Sequence, residues 1–196
     1  MKKLLSLLLL TFLLAACGQK PAAPQAAFLN TDLTGLDYAQ GFALTDHTGK
    51  ARTLADFKGK VVLLFFGYTQ CPDVCPTTMA ELATVMKELG PQADQVQVLF
   101  VTVDPQRDTQ ALLAQYVPAF DPRFIGLYGD AVATAKVAKE FKVFYAKVEG
   151  TTPGSYTVDH TAGSYVFDRN GKIRLFVRNG QGAAPITHDL KILLAF

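Results

Sequence analysis

Basic charge is nowhere concentrated in this 196-residue chain: no block of Lys and Arg occurs, and 19 basic side chains nearly balance 17 acidic ones. Nucleic-acid binding is driven by clustered positive charge on phosphates, so that class of partner is excluded. Apolar runs are short as well. The leading one, Leu4 to Leu14, falls well below the ~20 residues that a membrane-spanning helix needs. Cysteine and histidine are scarce, at three residues each. A disulfide-rich scaffold is thereby excluded, and any metal site has few donors to draw on.

What is present begins with a leader. Lys2 and Lys3 precede the Leu4 to Leu14 run and Ala15 and Ala16 follow it, which is the basic start, short apolar stretch and small-residue end of an export signal. Its end, Leu14-Ala15-Ala16-Cys17-Gly18, resembles the bacterial lipobox, which implies removal of residues 1–16 and a lipid on Cys17. An ordinary cleaved signal that leaves Cys17 free is the alternative. Losing Lys2 and Lys3 brings basic and acidic side chains level, so membrane contact rests on the lipid and not on a charged face. Gly18 to Ala27 is mostly Gln, Pro and Ala without a hydrophobic period, and reads as a tether. The organisation expected is a leader (1–16), a lipidated start with a flexible tether (17–35) and one domain (36–196) large enough for its own core. The protein is expected to be exported and membrane-anchored, facing the periplasm or the cell exterior.

Within the domain, Val61 to Phe66 and Val96 to Val103 are apolar runs too short for typical helices and read as buried strands; Phe124 to Tyr128 is a third. Thr77 to Leu89 has a helical apolar period, and Gly90-Pro91 ends it. A second helix is expected from Gln110 to Val117, and a third from a cap at Asp130 to about Phe141. Tyr165 to Asp168 and Lys172 to Arg178 flank Asn170-Gly171, a hairpin signal, and a helix bearing Ile186, Leu190, Leu193 and Leu194 closes the chain. Strands alternating with helices, then a hairpin and a helix, describe an α/β domain of thioredoxin-like plan: a central mixed sheet flanked by helices, with a C-terminal β-hairpin and helix.

Cys71-Pro72-Asp73-Val74-Cys75 sits where the first buried strand gives way to a helix, and sites form at such strand ends. A four-residue offset on a helical turn puts two side chains on one face. The pair can form a disulfide or grip one soft metal ion. A domain of this size needs no staple, and so small a loop constrains little chain entropy, which favours metal. Asp73 either caps the turn or orients a ligand. Among the histidines His160 is the best third ligand, in a loop entering the strand Tyr165 to Asp168, with the glycine-containing approach Gly150 to Ser155 free to move it. His47, in a hairpin turn, and His188, in the last helix, are expected to face solvent. Asp159 can fix the His160 tautomer or serve only as a turn residue. Arg107 either steers a partner or is solvated; Tyr68 and Phe120 rim the site or pack.

Three segments together carry a resemblance: Gly67 to Thr78 with its two cysteines, Val103-Asp-Pro-Gln-Arg-Asp-Thr109, and Val158-Asp-His160 followed by Tyr165-Val-Phe-Asp168. They resemble the Sco/SenC family of membrane-tethered, thioredoxin-like copper proteins that serve assembly of the CuA centre of cytochrome c oxidase. The resemblance implies copper ligands at Cys71, Cys75 and His160. It further implies delivery to the CuA-bearing subunit or another copper carrier. Gln110 departs from a common proline, and the lipid replaces the transmembrane anchor of many members. Two thiolates and an imidazole suit Cu(I) and can also hold Cu(II). The rival reading is a thiol-disulfide oxidoreductase that reduces target cysteines before metallation, with Cys71 and Cys75 forming a disulfide when metal-free. Its usual Cys-x-x-Cys spacing is one residue shorter than the spacing here.

Overall fold

The computed structural model describes residues 27–195, so the leader, Cys17 and the first part of the tether lie outside the described residues. Strand β1 (Thr31–Asp32) comes first, followed by the hairpin β2 (Ala43–Asp46) and β3 (Ala51–Thr53). Strand β4 (Val61–Gly67) leads into helix α1 (Val74–Leu89), and β5 (Val96–Thr102) into α2 (Gln110–Tyr116). Strand β6 (Ile125–Tyr128) precedes α3 (Ala131–Glu140), after which come β7 (Tyr145–Glu149), β8 (Tyr156–His160), β9 (Gly163–Phe167), β10 (Ile173–Arg178) and α4 (Ala183–Leu194). Eight strands form one mixed sheet in the order β1-β10-β9-β4-β5-β6-β2-β3, and β7 with β8 forms a separate pair.

The sheet's centre is its most apolar part. All seven residues of β4 and all seven of β5 are buried, as expected of strands covered on both faces. They run parallel to each other, β6 runs parallel to β5, and β9 runs antiparallel to β4. Side-chain alternation splits the aromatic core in two. Phe65 packs on Phe100, which meets Tyr116 of α2 on one side of the sheet. On the other, Phe66 and Tyr165 pack against Phe141 at the end of α3. Helices α1 and α4 are joined by a hydrogen bond of 2.6 Å from the Thr187 hydroxyl to Glu88.

Helix ends follow local chemistry. Thr109 caps α2 by accepting from the Leu112 amide at 3.2 Å, and Asp130 caps α3 by accepting from Ala133 at 2.7 Å. Gly171 takes φ of 75° in the β9–β10 turn, the left-handed region that its Asn-Gly dipeptide anticipates. The expected mixed sheet with flanking helices, C-terminal hairpin and helix is the architecture observed.

Three features differ from the sequence reading. Helix α1 begins at Val74, three residues before the expected Thr77, which places Cys75 inside its first turn. Pro76 allows this because the first-turn amides have no intrahelical acceptor. Residues 150–160, read as approach and loop, belong to a β7–β8 hairpin over residues 145–160, in whose strands only Val158 is buried, so they carry little apolar signal. The end of the segment read as tether is also built into the domain, since β1 pairs with β10. Two residues of strand carry no periodicity to read. What holds them is the buried Asp189 carboxylate, which accepts from the Leu29 amide at 2.9 Å, the Asn30 amide at 2.8 Å and the Asn30 side chain at 2.9 Å. No helix among the described residues is long and apolar enough to cross a membrane.

Burial alone would raise the Asp189 pKa, but the donors from His188, Leu29 and Asn30 outweigh it and hold the carboxyl below its ordinary value. A depressed carboxyl stabilises the fold above its unfolded pKa of about 3.9, and loses that contribution as pH falls through the folded value. Asp189→Ala is expected to cost about 1–3 kcal/mol at neutral pH. In urea unfolding, the gap between wild type and variant should shrink below about pH 4.

Candidate metal centre

The cysteine loop is delivered by the end of β4. Gly67 closes that strand, and the chain turns through Tyr68 to Gln70 before Cys71 and the helix. A side chain at residue 67 has no room. A Cβ there would lie 2.8 Å from the Phe65 ring, 2.9 Å from Phe100 and 3.0 Å from the Cys75 sulfur. This is glycine used for close approach, which lets Cys75 sit against the strand.

Both cysteines are free thiols, Cys71 half-buried and Cys75 fully buried. The Cys75 amide, one of the unpaired donors of the first helical turn, donates to Cys71 Sγ at 3.4 Å. Asp73 precedes the helix, but its carboxylate caps no amide and accepts only a 3.5 Å contact from the Thr77 hydroxyl. It is an exposed turn residue and orients neither sulfur.

His160 arrives from the opposite direction. It is the last residue of β8, and three residues later, at Gly163, β9 begins and runs back along β4, with Ser164 opposite Phe65. The antiparallel register therefore places the start of β9 beside the end of β4, where the cysteines leave the sheet. His160 Nε2 lies 3.4 Å from Cys75 Sγ. The ligand atoms of Cys71, Cys75 and His160 all lie within 4.8 Å of one another. Tyr68 and Phe65 meet the imidazole edge-on, with ring centroids at 6.0 and 6.1 Å.

The imidazole's far nitrogen, Nδ1, is 3.1 Å from the Thr161 carbonyl oxygen. A carbonyl only accepts, so Nδ1 carries the proton and Nε2 turns its lone pair toward the sulfurs. Asp159 does not perform that task. As the neighbouring strand residue it points away from His160 and is exposed, which leaves the backbone carbonyl to set the tautomer.

Burial lowers the His160 pKa below the ordinary histidine value, although the Thr161 carbonyl and the Asp159 charge pull it upward. Burial pushes the Cys75 thiol far above its ordinary range, and the charges of Cys71 and the buried Asp108 add to the rise. At neutral pH the metal-free site thus holds a neutral imidazole and a protonated Cys75, whose S–H faces the Nε2 lone pair. Any cation that binds here displaces that proton.

The remaining candidates are set apart from this cluster. His47 is not simply solvent-facing: its Nδ1 accepts from the Gly126 amide at 3.0 Å and ties the β2–β3 turn to β6. His188 is exposed beside Asp189, as expected. Tyr68 is buried against the site, whereas Phe120 packs edge-on against Tyr116. The sequence reading missed Asp108. Its buried carboxylate accepts 2.6 Å hydrogen bonds from the Thr69 and Thr102 hydroxyls and so braces the cysteine loop against the end of β5. No local pattern marks it, since both partners are distant or polar. Arg107 is half-buried and ion-paired with Asp104.

A family model described as SCO1/SenC matches residues 31–195, almost the whole of what the structure describes. The chain belongs to the SCO1/SenC family. It is 45% identical over 122 residues to the bovine protein SCO2 homolog, mitochondrial, a match covering 61% of this chain and 46% of that protein. This SCO1/SenC chain therefore spans under half the length of that mitochondrial relative. The structure of Bradyrhizobium japonicum ScoI with copper bound is 44% identical, with a TM-score of 0.71, covering 77% of this chain and 96% of that one. A SCO1/SenC family lipoprotein from Bacillus anthracis is 28% identical, with a TM-score of 0.69, covering 85% of this chain and 99% of the other.

Gly67→Ala tests the packing on which the centre rests. Overfilling this corner is expected to cost about 1–3 kcal/mol and to push the Cys75 sulfur out of its buried position. Denaturant unfolding should read the first effect, and faster modification of Cys75 by a thiol reagent the second.

Proposed function

We propose that this protein binds one copper ion through Cys71, Cys75 and His160 and delivers it to the CuA centre of cytochrome c oxidase. The observation that carries the proposal is the convergence of two sulfurs and one imidazole nitrogen within 4.8 Å, on elements far apart in sequence. Family membership supports the role, and a relative solved with copper bound supports the ion. Two thiolates and a neutral imidazole form a soft, low-coordinate donor set, suited to Cu(I) and able to hold Cu(II). Structural zinc usually takes four protein ligands, and here three converge.

The chemistry of delivery follows from the donor set. Loading requires loss of the Cys75 proton, because the thiolate and not the thiol is the ligand. Cys71, the more exposed sulfur, is the ligand that a partner's thiol or imidazole reaches first, so exchange begins there and ends with release of the buried Cys75. The recipient is the CuA-bearing subunit or another copper carrier. A lipid on Cys17 would hold the domain at an exported membrane face, and the Bacillus lipoprotein of the same family supports such an anchor.

The same two thiols also suit the reduction of a target disulfide, a reading favoured by their free state and by the Cys75 amide that donates to Cys71 Sγ. Titration of the full chain carrying Cys17→Ser separates the two. The delivery reading expects one Cu(I) equivalent bound by the reduced protein, a thiolate-to-copper charge-transfer band with Cu(II), and much weaker Cu(I) binding with loss of the band in His160→Ala and Cys75→Ser. Binding that is weak and independent of His160, together with rapid reduction of a model disulfide, would overturn it in favour of the reductase.

A further inference from the structure

His160 sits on a hairpin with few anchors: Val158 is its one buried strand residue, and Tyr145 and Tyr156 pack half-buried against the core. Strands β7 and β8 pair only with each other, and most of β7 is exposed. An isolated two-stranded hairpin is marginally stable in water, so its position depends on tertiary ties. At the base, Phe144 and Thr161 exchange backbone and side-chain hydrogen bonds of 2.9 and 3.0 Å. At the start of β8 the ties converge on Arg107.

The Arg107 guanidinium joins three segments. Its Nε donates to Asp104 in the loop after β5. Its Nη1 donates to the Tyr156 carbonyl oxygen at 2.9 Å and to the Gln70 side-chain oxygen at 3.2 Å. Tyr156 opens β8, and Gln70 is the residue before Cys71. The guanidinium carbon also lies 3.5 Å from the centre of the Tyr156 ring and 5.6 Å from that of Tyr68, the ring that meets His160. Tyr156 completes the circuit, its hydroxyl donating to the second Asp104 oxygen at 2.9 Å.

We propose that Arg107 is a positioning residue that clamps the His160 hairpin to the cysteine loop and so sets how firmly the third ligand is held. Its hydrogen bonds go to Asp104, Gln70 and Tyr156 and to none of the ligand atoms. This role rests on reading Cys71, Cys75 and His160 as the metal ligands. A planar fork does what a point charge cannot: it donates in several directions within one plane while its face stacks on an aromatic ring. Lysine would keep the ion pair with Asp104 and lose the other ties. The consequence of loosening falls mainly on one ligand, because Cys75 is fixed within α1 and the loop bearing Cys71 keeps its tie from Thr69 to Asp108 when Gln70 is released.

The test uses the full chain with Cys17→Ser, and compares it with Arg107→Met and Arg107→Lys in the same background. Copper-free protein is followed by amide hydrogen exchange, and Cu(I)-loaded protein by transfer of Cu(I) to a competing chelator. Both variants should speed Cu(I) release by about tenfold, the scale on which residues behind a metal ligand act. Exchange should rise in Tyr145–Glu149 and Tyr156–His160 while β4 and β5 keep wild-type protection. Tyr156→Phe, which removes only the bond to Asp104, should loosen the same strands to a smaller degree and keeps the test open if the arginine variants fold poorly.

Full rescue by Arg107→Lys would overturn the clamp in favour of a charge effect, and raised exchange throughout the sheet would overturn it in favour of general stability. If the parent protein itself releases Cu(I) no more slowly than His160→Ala, the ligand reading fails. The exchange measurement would then still decide whether Arg107 holds the hairpin. Unchanged exchange in the hairpin refutes the proposal whatever the copper result.

Discussion

The contact on which the rest depends is between two atoms 85 residues apart in sequence: the Cys75 sulfur and the His160 Nε2, separated by 3.4 Å. To bring them together the chain must solve two problems at one corner of the sheet. The cysteine must approach the end of β4 closely, which Gly67 permits by presenting no side chain. The histidine must be carried to the same end, which the antiparallel pairing of β9 with β4 accomplishes. A one-residue slip in that pairing would reverse which faces of β9 meet the two aromatic layers, so the apolar core that stabilises the sheet also enforces the register.

Burial then shapes the chemistry. Removing Cys75 and His160 from water disfavours their charged forms, leaving a thiol facing a neutral imidazole whose lone pair is directed by the Thr161 carbonyl. Such a site is poorly suited to a hard cation, which prefers oxygen ligands and water. It is well suited to a soft ion that repays loss of the thiol proton with a strong bond to sulfur. The surrounding charges are not spread at random. Asp104 is paired with Arg107, and Asp108 is satisfied by hydroxyls, so these two buried carboxylates brace the loops around the centre.

Much of this was legible in the sequence, for a physical reason. The strands β4 and β5 are continuous apolar runs between turn signals, and α1 shows a helical period, so burial itself wrote the pattern. The cysteine spacing and its place after a strand marked two of the three converging side chains, and the position of His160 ahead of β9 marked the third. What was not legible depends on long-range pairing. Asp189 organises β1 through amides some 160 residues away, and Gly67 is an ordinary strand-end glycine until Phe100 and Cys75 are placed beside it. The β7–β8 hairpin was hidden because only Val158 of its strand residues is buried, which leaves little apolar alternation to read. Adjacency in sequence left Asp159 open between orienting His160 and serving as a turn residue, and in a strand adjacent residues face opposite ways.

The central claim is that one copper ion is held by two sulfurs and one imidazole nitrogen. X-ray absorption at the copper edge of the Cu(I)-loaded full chain measures that first coordination sphere directly. The account predicts two sulfur scatterers and one imidazole nitrogen in the wild type, with the nitrogen contribution lost in His160→Ala and one sulfur lost in Cys71→Ser. A sphere made of sulfur alone, or one that His160→Ala leaves unchanged, would contradict it.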